Sequence, residues 1–429
     1  METEEQKKKT EGIFEKRMNR LRKDTGNLIK WVLLAVMTGL VVGSISSLFA
    51  SILGLVTDTR KLHGWLFYLL PLAGLLIVFL YDKFGQEDRG TNQVFSSIRS
   101  ADELKFRSAP MIFISTVLTH LTGGSAGREG AALQLGGSIG NQLARWVRLD
   151  EEDRHVLVMC GMSAAFAAVF GTPMAAAVFS MEVISVGIMY YSALLPCMVS
   201  ALVGANLAPF LGIHGETFHI ADIPVFTVET AIKIGVVGIG CGAVGTLFCV
   251  VLREVGKLYG KYLKNKYIRV IAASVLIIGI TALLDTTDFM GAGNELIIRA
   301  VEEGQAEPFA FLLKILLTAL TMKAGFRGGE IVPSFCIGAT FGCVLGQLLS
   351  ISPAVCAACG MAAVFCSVTN CPLTSILIAF ELFGYKGVSF FLIAIVVSYA
   401  ISGNYSLYKS QTILYSKYKA KYVNERTHT

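Results

Sequence analysis

Two acidic residues stand inside apolar, glycine-rich sequence. The segment GGSAGREGAALQLGGSIG, Gly123 to Gly140, holds Arg128 and Glu129 and is otherwise uncharged. Further on, GFRGGEIVPSF places Glu330 in a segment of the same character. A charge at membrane depth is costly, and such residues commonly line an ion or substrate path. A carboxylate there could bind or block an anion path, or carry a proton. The competing reading puts Arg128 and Glu129 in a loop at the membrane surface. Glu330 could likewise be a polar helix start paired to Arg327.

The elements that must position these residues are membrane helices. The chain has 429 residues, 54% hydrophobic and 16% charged, where a soluble domain carries roughly a quarter of charged residues. Val32 to Val56 has no charge and exceeds the ~20 residues needed to cross a bilayer. Apolar runs of spanning length recur from Leu28 to Ser402. The expected class is therefore an all-α polytopic membrane protein. A transmembrane barrel would show alternating segments of about ten residues instead. The start, METEEQKKKTEGIFEKRMNRLRKD, has no apolar core and does not read as a cleavable signal.

Charge placement suggests a topology. Lys7, Lys8, Lys9, Lys16, Arg17, Arg20, Arg22 and Lys23 precede the first span, six basic residues fill 253–269, and Lys409, Lys417, Lys419, Lys421 and Arg426 lie near the end. Positive residues stay on the cytoplasmic side, so both termini and the 253–269 loop are expected there. The acidic loop 285–307 is expected outside. The flanking spans account for the basic clusters, and no nucleic-acid partner is expected. All ten Cys lie in apolar sequence between Cys160 and Cys371 and read as small hydrophobes. Cys356 and Cys359 form a single CxxC, where a structural zinc site needs two such pairs. No cofactor or metal is expected.

The chain repeats itself. CGMSAAFAAVFGTPMAAAVFSMEV from Cys160 aligns without a gap to CGMAAVFCSVTNCPLTSILIAFEL from Cys359, an offset of 199 that matches Pro173 to Pro372 and Glu182 to Glu381. Gly136 and Gly140 parallel Gly338 and Gly342. One transmembrane domain, 27–408, of two halves at about 27–213 and 226–408, follows from this. It is preceded by a mixed-charge segment, 1–26, and followed by a short basic tail, 409–429, with no regulatory domain. Transporter halves of this kind are commonly inverted, with the ion site at their interface. We expect inversion, although similarity alone also permits a parallel relation. Glu182 and Glu381 read as structural partners for a backbone or an Arg, with no transport role.

GGSAGREGAA and GFRGGEIVPSF are too irregular to be plain spans. Glycine there exposes backbone N–H groups, and a helix starting just after them carries a partial positive end. Broken helices at mid-membrane place such ends on an anion. The residues thus point to an anion pathway between two repeats, with a titratable Glu129 in it.

These segments resemble the CLC family of anion channels and anion/proton antiporters. GREGAALQLGGSIG is similar to the family's gating-glutamate motif GREGP, with Ala131 where Pro is usual. GGEIVPSFCIGATFG resembles its second-half GxFxP segment. RGTNQVF, Arg89 to Phe95, stands where the family has GSGIP, and NYSLYKSQ resembles the segment bearing the anion-coordinating Tyr, here Tyr408. The resemblance implies an anion site at Thr91, Asn92, Gly130, Val332 and Tyr408, with Phe95 and Ile331 lining the path. It also implies a homodimer with one pathway per subunit. The spacing of Gly238 and Gly242, and of Gly338, Gly342 and Gly346, permits close helix packing, within a subunit or between subunits.

The departures from the family pattern narrow the expectation. Its central serine is replaced by Thr91 or Asn92, the internal proton glutamate of chloride antiporters is Val183, and Glu330 stands where chloride members have an apolar residue. This combination resembles the fluoride/proton antiporter branch. Fluoride is small and strongly hydrated, so a selective site must replace its water with donors such as the Thr91 hydroxyl, the Asn92 amide, the Tyr408 hydroxyl and backbone N–H. Thr91 and Asn92 could also cap a helix, and Phe95 could simply be core. The expected function is fluoride export across the cytoplasmic membrane in exchange for protons. Glu129 would be both gate and principal proton carrier, and Glu330 a possible proton route. A chloride channel or chloride/proton antiporter is the alternative on the same scaffold. A lipid-acting enzyme would need a nucleophile–base pair or a metal cluster, and neither is evident.

Overall fold

The structure, a computed structural model, describes residues 2–84, 90–100, 104–220 and 222–428, apart from the side chains before Glu15 and that of Lys16. Helices dominate it. The first half holds α1 (Glu2–Leu62), α2 (Leu70–Phe84), α3 (Thr91–Arg99), α4 (Ser108–Leu121), α5 (Glu129–Trp146), α6 (Glu151–Phe170), α7 (Pro173–Glu182) and α8 (Leu194–Leu207). The second holds α9 (Val228–Tyr262), α10 (Lys266–Leu284), α11 (Asn294–Val301), α12 (Ala310–Ala324), α13 (Ile331–Leu348), α14 (Pro353–Thr369), α15 (Pro372–Phe383) and α16 (Val388–Ile401). Matched in order, the two series differ mainly in α1. Its 61 residues reach ~90 Å at 1.5 Å per residue, so the segment 2–26 continues the first span as helix.

Seven helical stretches among the described residues are long and apolar enough to cross a membrane, including Arg17–Leu62, Val228–Tyr262 and Ile331–Leu348. Their packing is that of a membrane protein. On α1, Leu33, Leu40, Leu48 and Leu55 are exposed, while Ala35, Thr38, Ser46 and Ser47 are buried. Lipid can cover the leucines, and small residues let neighbouring helices approach.

Each half interrupts its apolar run by the same local device. α6 ends at Gly171 (φ 79°) and α14 at Asn370 (φ 58°), both left-handed, and Pro173 and Pro372 then open α7 and α15. A left-handed residue satisfies the last turn of one helix, and Pro is preorganised for the first turn of the next. Two short helices result where one long span could have formed.

The halves are inverted. At the C-terminal end of α7, Glu182 accepts from Leu373 N (3.0 Å) and Thr374 N (2.8 Å) at the start of α15. Glu381, near the end of α15, accepts from Met174 N and Ala175 N, both at 2.9 Å, at the start of α7. Each helix ends where its counterpart begins, so equivalent helices run antiparallel. Both carboxylates therefore serve backbone N–H groups. Glycines of both halves make close helix contacts within the chain. Gly136 and Gly140 lie against Gly161 of α6, Gly338 and Gly342 against Gly360 of α14, and Gly238 and Gly242 against α16.

Beside its helices the chain carries a small three-stranded sheet. β1 (Ser185–Val186) pairs in parallel with β2 (Thr412–Tyr415), which pairs antiparallel with β3 (Tyr422–Arg426). Residues after Tyr408 thus fold back onto the body. Gln411, fully buried, donates to Val183 O (2.9 Å) and Thr369 O (2.8 Å). The Lys417 ammonium reaches Asn370 Oδ1 (2.5 Å) and Ser402 Oγ (2.9 Å). The loop 285–307 is likewise folded, since it contains α11.

Replacing both carboxylates, in E182Q/E381Q, removes charge-assisted acceptors from four backbone donors. We expect a stability loss of about 2–4 kcal/mol, read as a lowered unfolding midpoint in detergent, with transport per folded molecule retained.

Candidate functional site

Equivalent helices α5 and α13 begin at the same place. Gly127 and Gly329, each two residues before its helix, form an antiparallel bridge with Gly127 N to Gly329 O and Gly329 N to Gly127 O, both 2.7 Å. The approach requires glycine. A Cβ at Gly130 would lie 2.9 Å from Gly329 Cα, closer than two carbons can sit.

Neither helix end is capped by the side chain of its N-cap residue, Arg128 in α5 and Glu330 in α13. The first intrahelical bonds run from Ala132 N to Arg128 O (2.9 Å) and from Ser334 N to Glu330 O (3.1 Å). The N–H groups of Glu129, Gly130 and Ala131 therefore have no partner within α5, nor those of Ile331 and Val332 within α13; Pro333 has none to offer. Two partially positive helix ends meet in the protein interior. Ile331 and Val332 are buried, so their N–H groups are their polar contribution to this centre.

The Glu129 side chain lies at this junction, 1% exposed. Its Oε2 accepts from Arg128 N at 3.1 Å, and its Oε1 from Arg128 Nε at 3.3 Å. The carboxylate has folded back over the start of its own helix. Arg128 also donates from Nη2 to Glu216 Oε1 at 2.8 Å. A cavity of about 340 Å³ reaches Arg128, with Arg60, His120, Asp288 and Asn294 among its lining residues. The reading of Arg128 and Glu129 as a surface loop is thus not the structure's arrangement.

Thr91 and Asn92 begin α3 but do not cap it. The N-cap is Gly90, with no side-chain bond. The Thr91 hydroxyl donates to Gly130 O at 3.2 Å, joining α3 to the start of α5. Asn92 faces another partner. Its Oδ1 accepts from Ser410 N (3.1 Å) and Ser410 Oγ (3.2 Å), and Arg99 Nη1 donates to Ser410 O at 2.8 Å. Asn92 therefore holds the segment that carries Tyr408. Phe95, fully buried, meets Tyr408 edge to face with centroids 4.8 Å apart. The Tyr408 carbonyl accepts from Thr427 Oγ1 at 2.8 Å, so the hairpin also fixes this residue. Of the segment read from Arg89 to Phe95, Arg89 lies outside the described residues.

Glu330 occupies the place in α13 that Arg128 occupies in α5, and Ile331 that of Glu129. Among the described residues no ion pair joins Glu330 to Arg327; the Arg327 guanidinium lies over the Tyr81 ring at 3.9 Å.

Three contributors were not anticipated. Gly329 closes the bridge, and only its glycine character marked it. Glu216 stood in the segment HGETF of the linker between the halves, with no neighbouring charge to mark it. Lys314, in the apolar run FLLKILL, is fully buried, and its three donors reach Ser125 Oγ (3.1 Å), Phe289 O (3.0 Å) and Gly291 O (2.7 Å). It ties the segment leading to Arg128 to the loop after α10.

Comparison with known proteins places this architecture. The family model described as voltage gated chloride channel matches residues 73–403. The chain belongs to this family. A chloride/fluoride channel protein of Pseudomonas syringae pv. tomato is 35% identical over 399 residues, covering 91% of this chain and 88% of the relative. An H(+)/Cl(-) exchange transporter, ClcA, of Vibrio cholerae is 26% identical over 382 residues, 81% of each chain. The crystal structure of a CLC-type fluoride/proton antiporter superposes with a TM-score of 0.86 at 34% identity, covering 90% of this chain and 98% of that one. A slow cyanobacterial Cl-/H+ antiporter shares the fold, with a TM-score of 0.74 at 22% identity over 87% of this chain and 94% of that one. Family membership makes the chain a multi-pass membrane protein, in keeping with its apolar helices.

The Asn92 contacts give a local test. In N92L the Ser410 amide loses its acceptor, so its hydrogen exchange in the folded protein should quicken by about fivefold, near 1 kcal/mol. An unchanged rate would mean that Asn92 does not hold this segment.

Proposed function

We propose that this protein exchanges fluoride for protons, exporting fluoride across the cytoplasmic membrane. One observation carries the proposal. The Glu129 carboxylate lies over the uncapped start of α5, opposite the uncapped start of α13, the place a small anion would take. Ionised, Glu129 competes with the anion for the same N–H groups. Protonated, it loses that attraction, leaves the helix end and carries a proton with it. One residue alternating between these states couples the two fluxes without a second acid at Val183. The anion is held by N–H groups of Gly130 and Val332 and by the Tyr408 hydroxyl, joined by the Thr91 hydroxyl when it turns from Gly130 O to the anion. Asn92 acts mainly through the Tyr408 segment. Phe95 and Ile331 wall the path.

Glu330 supports fluoride over chloride as the substrate. A carboxyl at the N-cap of α13 offers a second proton acceptor at the junction. The names of the Pseudomonas relative and of the fluoride/proton antiporter favour the same anion. The protein works as a secondary transporter, not as an enzyme. Both termini and the 253–269 loop lie in the cytoplasm, following the basic clusters, and the unit is a homodimer with one pathway in each subunit.

Purified protein in liposomes should release fluoride far faster than chloride at an ion-selective electrode, with protons moving in the opposite direction. Equal or faster chloride release would favour the chloride alternative. E129Q should abolish proton movement driven by a fluoride gradient; proton pumping that persists in this variant removes Glu129 from the coupling.

A further inference from the structure

The linker between the halves brings one carboxylate to the junction. Glu216 Oε1 accepts from Arg128 Nη2 at 2.8 Å and from Asn294 Nδ2, at the start of α11, at 3.2 Å. The linker is seated firmly enough to aim it. Glu216 N donates to Phe170 O at 3.4 Å, and Gly215 lies against Gly171 at the end of α6. Arg128 thus serves two acids through different nitrogens, Glu129 by Nε at 3.3 Å and Glu216 by Nη2 at 2.8 Å. The shorter bond goes to the linker.

An arginine free to face one carboxylate forms two parallel charge-assisted bonds to it. Here the fork is divided. The Glu129 side chain is 1% exposed, against 18% for Glu216, so the buried acid receives the longer contact and the more accessible acid the shorter one. We infer that Glu216 is a positioning residue for the gate: it draws the Arg128 guanidinium away from Glu129 and so sets how readily Glu129 leaves its helix end. This rests on the reading of Glu129 as the gate.

The other charged groups around this corner have partners of their own. Arg60 on α1 donates to His120 O, and His120 on α4 bonds Thr116 O through Nδ1. Lys314 on α12 holds Ser125 and the loop after α10. Asp288 pairs with Arg299, and Glu295 at the start of α11 pairs with Lys61. Asp58 stands exposed on α1 at the cavity rim. None of these is altered by removing the charge of Glu216. In E216Q the amide oxygen can still accept from Arg128 and Asn294, so the linker keeps its place, while the lost charge weakens its pull on Arg128 and leaves more of the guanidinium's charge to Glu129.

The test uses wild type, E216Q, E216D and E129Q in liposomes. Fluoride/proton exchange is followed with equal pH on both sides, from 5 to 8. E216Q should reach its half-maximal rate at a pH lower by about one unit, because the ionised gate is held more tightly. E216D should return the profile to that of wild type. A midpoint in E216Q equal to or above that of wild type, with pH dependence lost in E129Q, overturns this inference and leaves the gate reading intact. pH dependence that survives in E129Q overturns the gate reading, and this inference with it. Should E216Q fail to fold, N294A frees Glu216 to bind Arg128 alone and should raise the midpoint. An unchanged or lowered midpoint in N294A overturns the inference.

Discussion

Two helices begin face to face in the middle of this protein, and neither end is capped. That single constraint organises the rest. Each helix start carries about half a positive charge, and two such ends in a low-dielectric interior repel unless something negative lies between them. The Gly127–Gly329 bridge holds them together nonetheless, with both strands' N–H groups satisfied by each other's carbonyls. The N–H groups just beyond the bridge have no partner within their own helices. The Glu129 carboxylate lies folded back over the start of α5, accepting from Arg128 N.

The inverted repeat is what makes this geometry possible. A helix and its symmetry-related copy run antiparallel, so a loop near the pseudo-twofold meets its own counterpart. The same symmetry places Glu182 and Glu381 on each other's helix starts. There the ends of α7 and α15 are capped, and the structure closes on itself. At α5 and α13 they are left open. The contrast between two otherwise equivalent junctions separates the structural pair from the candidate transport pair. It is a difference of capping and not of burial, because all four carry buried or half-buried acids.

Much of this was legible in the sequence. Pro173 and Pro372, with Glu182 and Glu381 nine residues later in each half, announced the repeat. The glycine-rich segments around Glu129 and Glu330 announced broken helices. Inversion was not legible, because similarity between halves carries no direction; it emerges only when Glu182 and Glu381 are seen to cap each other's helices. Asn92 was read as an amide donor to the anion, and its carbonyl oxygen has a further role, accepting from Ser410. Nothing in RGTNQVF reveals a partner more than three hundred residues away. The C-terminal hairpin was hidden by its composition. Its strands are short, and lysines such as Lys417 read as solvated charge when one of them is in fact drawn onto Asn370 and Ser402. Glu216 was missed for the opposite reason, since an acid in a linker is ordinary until Arg128 is found beside it.

The central claim is that the Glu129 carboxylate and a transported anion compete for one place between two helix ends. Equilibrium fluoride binding to detergent-solubilised wild type and E129Q, titrated calorimetrically at pH 7.5 and at pH 5, tests it most directly. Competition predicts that E129Q binds fluoride more tightly than wild type at pH 7.5, by about tenfold or more, and with little dependence on pH, while wild type tightens on acidification. Equal affinity of the two proteins at pH 7.5, or the same pH dependence in both, would contradict it.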